Sequence, residues 1–146
     1  MSPNDKPARP DIRDVNAGVI KAYRDEQTYE RDGMPLVLLT TTGRRSGKQH
    51  TTPVAVQTDG DRLIVAGTMG GLPRHPQWYL NLQATPDLTV EFRGDRYPAR
   101  ASTVPPGPER DRLAALMAES LPELPRYEAK AAASRQVPIV LIERAG

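Results

Sequence analysis

The sequence predicts a mainly β fold of the α+β class, a small closed or half-closed antiparallel barrel with helices at its periphery. Six short runs have strand character: Leu36–Thr42, Gln49–Thr58, Arg62–Ala66, Leu88–Arg93, Arg96–Val104 and Val137–Glu143. Two-residue turns of the hairpin kind, Asp59-Gly60 and Gly94-Asp95, join neighbouring runs. Six strands left as an open sheet would expose two pairing edges, and closure removes them.

Residues 1–10 are polar and rich in proline, which predicts a disordered lead-in; residues 11–146 form one domain. Asp11 has the chemistry of an N-cap. Ile12, Val15, Val19, Ile20 and Tyr23 then recur at helical spacing, with Arg13, Asp14, Lys21 and Arg24 off that face. A polar face of both signs favours packing on the domain over lying on a membrane. The segment Glu30–Gly33 and Pro35 end this helix. Pro53 inside the second run marks an edge strand or a bulge. The stretch GTMGGLPRHP, with three glycines and two prolines, is a loop. Pro76 suits the first turn of a short helix, QWYLNLQ, which Thr85-Pro86 stops. Pro105–Pro108 is a rigid connector into a helix begun by Pro108, Glu109 and Asp111, with Leu113, Leu116, Met117 and Leu121 on one face. Pro122 and Pro125 break it, and a second helical piece, Arg126–Ser134, precedes the last strand.

Composition removes several function classes. A formal charge of +2, with acidic residues interspersed and aromatics at 5%, argues against a nucleic-acid partner. The absence of cysteine excludes disulfides, thiolate metal sites and a cysteine nucleophile. No run of about 18 apolar residues is present, so no transmembrane segment is expected. The opening MSPNDKPARPD lacks the apolar stretch of a secretory signal, so the expected location is the cytoplasm. His50 and His75 are the only histidines, and their spacing matches no metal-binding motif; no metal site is expected. Ser46, His50 and Asp59 could form a triad on paper, but no nucleophile elbow accompanies them. Met69 and Met117 are read as pocket filler, and Arg93–Asp95 as a hairpin turn rather than an adhesion signal.

The chemistry concentrates in LLTTTGRRSGKQHTTP, residues 38–53. Gly43 and Gly47 allow a sharp turn that carries Arg44, Arg45, Ser46 and Lys48. Three cations and a hydroxyl on one turn suit a multiply charged anion. The alternative is a hairpin tip that is basic only for solubility.

Together, LLTTTGRRSG, GTMGG…HPQWYLNL and VPIVLIE resemble, in this order, the deazaflavin-dependent nitroreductase family, whose members use coenzyme F420. The similarity runs from about Leu36 to Glu143 and implies a six-stranded split β-barrel of the FMN-binding kind. It places the family's basic turn on Arg44, Arg45, Ser46 and Gly47, to hold the coenzyme's phosphate and acidic tail. The strand around Pro53 and the stretch Ala66, Gly67 and Thr68 would line the deazaflavin ring, and Gly70 and Gly71 would let the backbone approach it. Trp78 and Tyr79 are packing anchors. Met69 stands where relatives often carry lysine. Ala55 stands where the nitroreductases carry tyrosine. Their tyrosine-rich segment falls near Leu121–Tyr127, with Leu121 and Leu124 in place of tyrosines and Tyr127 retained.

The implied function is an F420H2-dependent reductase that passes hydride to an apolar organic acceptor, such as a quinone or an activated double bond. Thr68 or Tyr127 would donate a proton or a hydrogen bond. Ala55, Leu121 and Leu124 would form a greasy substrate pocket. F420 is the expected cofactor, with FMN less favoured, and the protein is expected to be a monomer or weak homodimer. The rival reading is a split barrel that binds F420 or another apolar, flavin-like ligand without turnover.

Overall fold

The computed structural model describes residues 12–145; the expected lead-in and the Asp11 cap lie outside the described residues. In chain order the elements are α1 (Ile12–Asp25), β1 (Glu30–Arg31), β2 (Met34–Thr42), β3 (Gln49–Ala55), β4 (Gln57–Asp59), β5 (Arg62–Ala66), a 3-10 turn (Met69–Gly71), α2 (Gln77–Ala84), β6 (Asp87–Phe92), β7 (Asp95–Thr103), α3 (Pro108–Ser120), α4 (Leu124–Ala131) and β8 (Ile139–Arg144). The strands form one curled antiparallel sheet in the order β1-β2-β6-β7-β8-β5-β4, with β3 paired to β2.

The run expected as one strand over Gln49–Thr58 is two. Its first half pairs with β2 as far as Leu36 opposite Ala55, and its second half pairs with β5 from Gln57 opposite Ile64. Val56 is the joint: its side chain is buried, and its N–H donates to the Pro35 carbonyl at 3.0 Å. The chain outlasts β2 and finds a second partner, so one segment links the two ends of the sheet. Pro53, opposite Leu38, lies on an edge strand as its missing N–H requires. The segment expected only to end α1 also forms β1, turning at Asp32 and Gly33, both with positive φ, back onto Met34 and Pro35. Pro76 is the N-cap of α2 and not a first-turn residue. Pro125 sits inside the first turn of α4, where a missing N–H costs nothing, so that helix starts at Leu124 and not at Arg126.

Period-two alternation distributes the core. Val37, Leu39, Leu63, Val65, Val140 and Ile142 point into the barrel, where Trp78, Tyr79 and Leu82 of α2 join them. The opposite faces are covered as well. Leu36 and Leu38 pack with Tyr23 of α1, while Ile64, Ile139 and Leu141 pack with Leu113, Met117 and Leu124 of α3 and α4. This explains why β2, β5 and β8 read as continuous apolar runs. Two polar anchors fix α1. The Tyr23 hydroxyl donates to the Leu36 carbonyl at 3.0 Å, and Arg24 makes a bidentate pair with Glu91 at 2.7 and 2.8 Å.

Asp59 at the end of β4 bridges Arg62 and, at 3.1 and 3.2 Å, Arg112 of α3. Hydrogen bonds from Arg112 and then Arg62 hold its carboxyl down at about 2, below the ordinary aspartate value of 3.8. A depressed carboxyl contributes stability above its unfolded pKa, lost as pH falls through the folded one. Acid titration between pH 4 and 2, followed by circular dichroism, should therefore destabilise the wild type more steeply than Asp59→Asn. Parallel curves would remove this site from the acid response.

Candidate active site

A cleft of about 1030 Å³ opens between the basic turn, β3, the end of β5, the N-terminus of α2 and the first turns of α1. It is polar and basic at one end and apolar at the other. Arg13, Arg44 and Arg45 line it together with His50, and among the described lining residues there is no carboxylate. In a chain of formal charge +2, this local excess makes the mouth of the cleft a focus of positive potential.

The basic turn is built by short backbone bonds. Gly43 N–H donates to the Lys48 carbonyl at 2.7 Å, Gly47 N–H to the Gly43 carbonyl at 2.8 Å, and Lys48 N–H to Ser46 Oγ at 3.1 Å. A Cβ on Gly43 would lie 2.6 Å from Ser46 Oγ and 2.8 Å from His50 Nε2, so only glycine lets those side chains fold over the turn. Gly47 has a φ of +70° and serves the turn's shape; it does not line the cleft. Asn81, 4% exposed on α2, holds the turn from below. Its Oδ1 accepts from Arg44 N–H at 3.2 Å and Arg44 Nη1 at 3.0 Å, and its Nδ2 donates to Thr41 Oγ1 at 3.2 Å. Both guanidinium and backbone of Arg44 are thereby oriented before any ligand arrives.

The second wall is the loop that follows β5. Ala66, Thr68 and Met69 line the cleft, whereas Gly67, Gly70 and Gly71 do not. A Cβ on Gly67 would meet Pro138 at 2.8 Å and Pro76 at 3.3 Å, and one on Gly71 would meet the Lys130 side chain at 2.9 Å. Close approach is thus required at both, by packing within the protein. Met69, Gly70 and Gly71 have consecutive positive φ values of 45°, 62° and 82°. A methionine there is strained and is held by its surroundings. Arg135, just beyond α4, supplies the hold: Nη1 donates to the Gly67 carbonyl at 2.9 Å, Nη2 to Thr68 at 2.8 Å and Nε to Leu72 at 3.0 Å. Nη1 also reaches His75 Nδ1 at 3.1 Å, which as the partner of a pure donor must accept. Burial, and then the charge of Arg135, lower the His75 pKa and favour that neutral ring.

Of the expected substrate-side residues, Ala55 and Leu121 line the apolar end of the cleft. Leu124 is 1% exposed in the core, and Tyr127 packs against the same cluster under the stacked guanidinium of Arg126; neither lines the cleft. With α4 starting two residues earlier than expected, these two positions share its core-facing side. Arg44, Arg45, Ser46, Pro53, Ala55, Ala66, Thr68 and Leu121 are brought together as anticipated. The residues that sequence reasoning missed are Arg13 and Asn16 on α1, His50 as a cleft residue, Asn81 and Arg135. Only Asn81 left a trace, as the one amide in the apolar run WYLNL. Among the described residues no cluster of acidic or histidine side chains could hold a metal ion, and no helix is long and apolar enough to cross a membrane.

The profile of the F420H(2)-dependent quinone reductase family matches residues 15–144. An F420H(2)-dependent quinone reductase of Mycobacterium tuberculosis is 34% identical over 112 residues, which cover 75% of this chain and 74% of that protein. Among solved structures, an F420-H2 dependent reductase, FDR-A, superposes with a TM-score of 0.67 at 32% identity, over 75% of this chain and 94% of that one. A domain-swapped dimer superposes with a TM-score of 0.69 at 28% identity, over 90% and 96% of the two chains. The curled sheet with its four described helices is the split barrel that the resemblance implied. A basic mouth leading to an apolar floor also fits a coenzyme with an acidic tail and a flat ring. The chain belongs to the F420H(2)-dependent quinone reductase family, and is an oxidoreductase that depends on coenzyme F420.

Proposed function

We propose that the reduced coenzyme binds in this cleft with its anionic tail on Arg44, Arg45 and Ser46 and its ring between β3 and the loop after β5. The observation that carries this is the polarity of the cleft, cationic at the turn and apolar at Ala55, Ala66 and Leu121. When bound, the coenzyme supplies a hydride, which a quinone-class acceptor takes up together with a proton from solvent to become the quinol. The protein's part is to hold ring and acceptor in register and to keep water from the apolar end. Thr68, half-buried on the lining beside Ala66, would donate a hydrogen bond to the acceptor; its presence on the apolar wall supports this role. Tyr127 has no place in this reading. Its expected role passes to Thr68 or to water.

Leu121 and Ala55 offer burial but no donor for a nitro or carbonyl oxygen, and an acceptor atom left unpaired costs about 1–3 kcal/mol. Steady-state oxidation of the reduced coenzyme should therefore run faster with flat quinones than with bulky polar nitroaromatics by roughly ten-fold or more. In the same assay Tyr127→Phe should behave as wild type. Faster turnover of the nitroaromatics would overturn this account of the acceptor end. Tight coenzyme binding with no turnover of any acceptor would instead favour a carrier. That second reading draws on the absence of an acid–base pair in the described lining.

A monomer or weak homodimer accompanies this reading, because Leu72, at 39%, is the single exposed large hydrophobic among the described residues. A cytoplasmic setting follows from the donor proposed: a multiply charged coenzyme does not cross a bilayer unaided.

A further inference from the structure

Arg135 contributes no atom to the cleft, yet it grips three carbonyls of the loop that forms one of its walls. In a trans peptide the C=O and the following N–H point in opposite directions, and every described peptide bond is trans. The Gly67 carbonyl faces Arg135, so the Thr68 N–H faces away from it. The Thr68 carbonyl faces Arg135, so the Met69 N–H does likewise. Thr68 and Met69 line the cleft, whereas Arg135 does not. Among the described residues, the backbone bonds of this turn run from Gly71 N–H to the Thr68 carbonyl and from Leu72 N–H to the Met69 carbonyl. The amides of Thr68 and Met69 are not spent on it. A guanidinium on their carbonyls also polarises these two peptides, which strengthens the N–H groups as donors. The strained φ of Met69 gives a reason for so many restraints on so short a loop.

We propose that Arg135 is a positioning residue which turns the Thr68 and Met69 amides into the cleft as a fixed pair of donors for the electron-rich edge of the deazaflavin ring. Lys130, whose Nζ lies 3.4 Å from the Gly70 carbonyl, backs the same loop from the same helix end. The proposal rests on the reading that the coenzyme occupies this cleft.

The test is a titration of ¹⁵N-labelled protein with the oxidised coenzyme, which reports binding without turnover. In the wild type the amide protons of Thr68 and Met69 should move downfield as the site fills. In Arg135→Met the shifts should shrink and the Kd should rise about ten-fold, with Arg135→Lys intermediate, because one ammonium replaces part of the fork. A purely structural role would weaken stability in both variants without a graded loss of those two shifts. Saturable binding with both wild-type amides unmoved overturns the proposal even if Arg135→Met fails to fold. So does an Arg135→Met protein that binds with the wild-type shifts and Kd. A titration flat at every resonance, including the turn at Arg44, removes the coenzyme from the cleft, and both readings fall together.

Discussion

Replacing both arginines of the basic turn, as Arg44→Ala with Arg45→Ala, is expected to weaken coenzyme binding about a hundred-fold with the fold intact. A charge-assisted hydrogen bond contributes roughly 1.5–3 kcal/mol. Both side chains are exposed, so solvent screening sets each near the lower figure, about ten-fold in affinity. Arg44 should matter at least as much as Arg45, since Asn81 orients it in advance. The fold survives because Asn81 keeps its bond to Thr41 and the Arg44 N–H when the guanidinium is removed. Affinity of the wild type should also fall with salt, and the double variant should lose most of that dependence. Isothermal titration at two ionic strengths checks both points. A double variant that binds as the wild type does would dismiss the turn as the tail site.

Gly67→Ala is expected to destabilise the fold strongly. The added carbon would meet two proline rings at 2.8 and 3.3 Å, and neither ring can swing aside. Pro138 is fixed in addition by the bond its carbonyl accepts from Gly67 N–H at 3.0 Å. Overpacking of this kind costs on the order of 1–3 kcal/mol, a drop of several degrees in Tm for a chain of this size. Coenzyme affinity should fall with it, because the displaced residue lies between Ala66 and Thr68 on the cleft wall and its carbonyl is one of those Arg135 holds. Calorimetry and a binding isotherm on the same sample would show the two losses together. An unchanged Tm would mean the prolines yield.

The barrel was legible because its signals are local. The Asp-Gly and Gly-Asp turns and the apolar runs set β5, β6 and β7 to within a residue or two. The partner switch at Val56 was not, because Gln49–Thr58 has unbroken strand character and only the length of β2 decides where its pairing stops. The turn of the candidate site was legible for the same local reason, as clustered charge between glycines. Arg135 lies between an alanine-rich helix end and the last strand, 63 to 68 residues away from the carbonyls it binds. Nothing in its neighbours' chemistry could announce that contact. Leu124 and Tyr127 were assigned to the site by resemblance alone, and the sequence holds no local signal that α4 turns both toward the core.

The segment 49–59 acts as a stitch, since the same strand is sewn to β2 at one end and to β5 at the other. Ala55 and Ala66, on the two sides of that seam, both line the cleft. A flat ring seated there lies across the seam like a clasp. Filling the cleft and sealing the barrel then become a single event. The empty protein should be softest along this line, exchanging the amides of β3 and β4 faster than those of β7, and the coenzyme should slow that exchange most where the stitch changes partners.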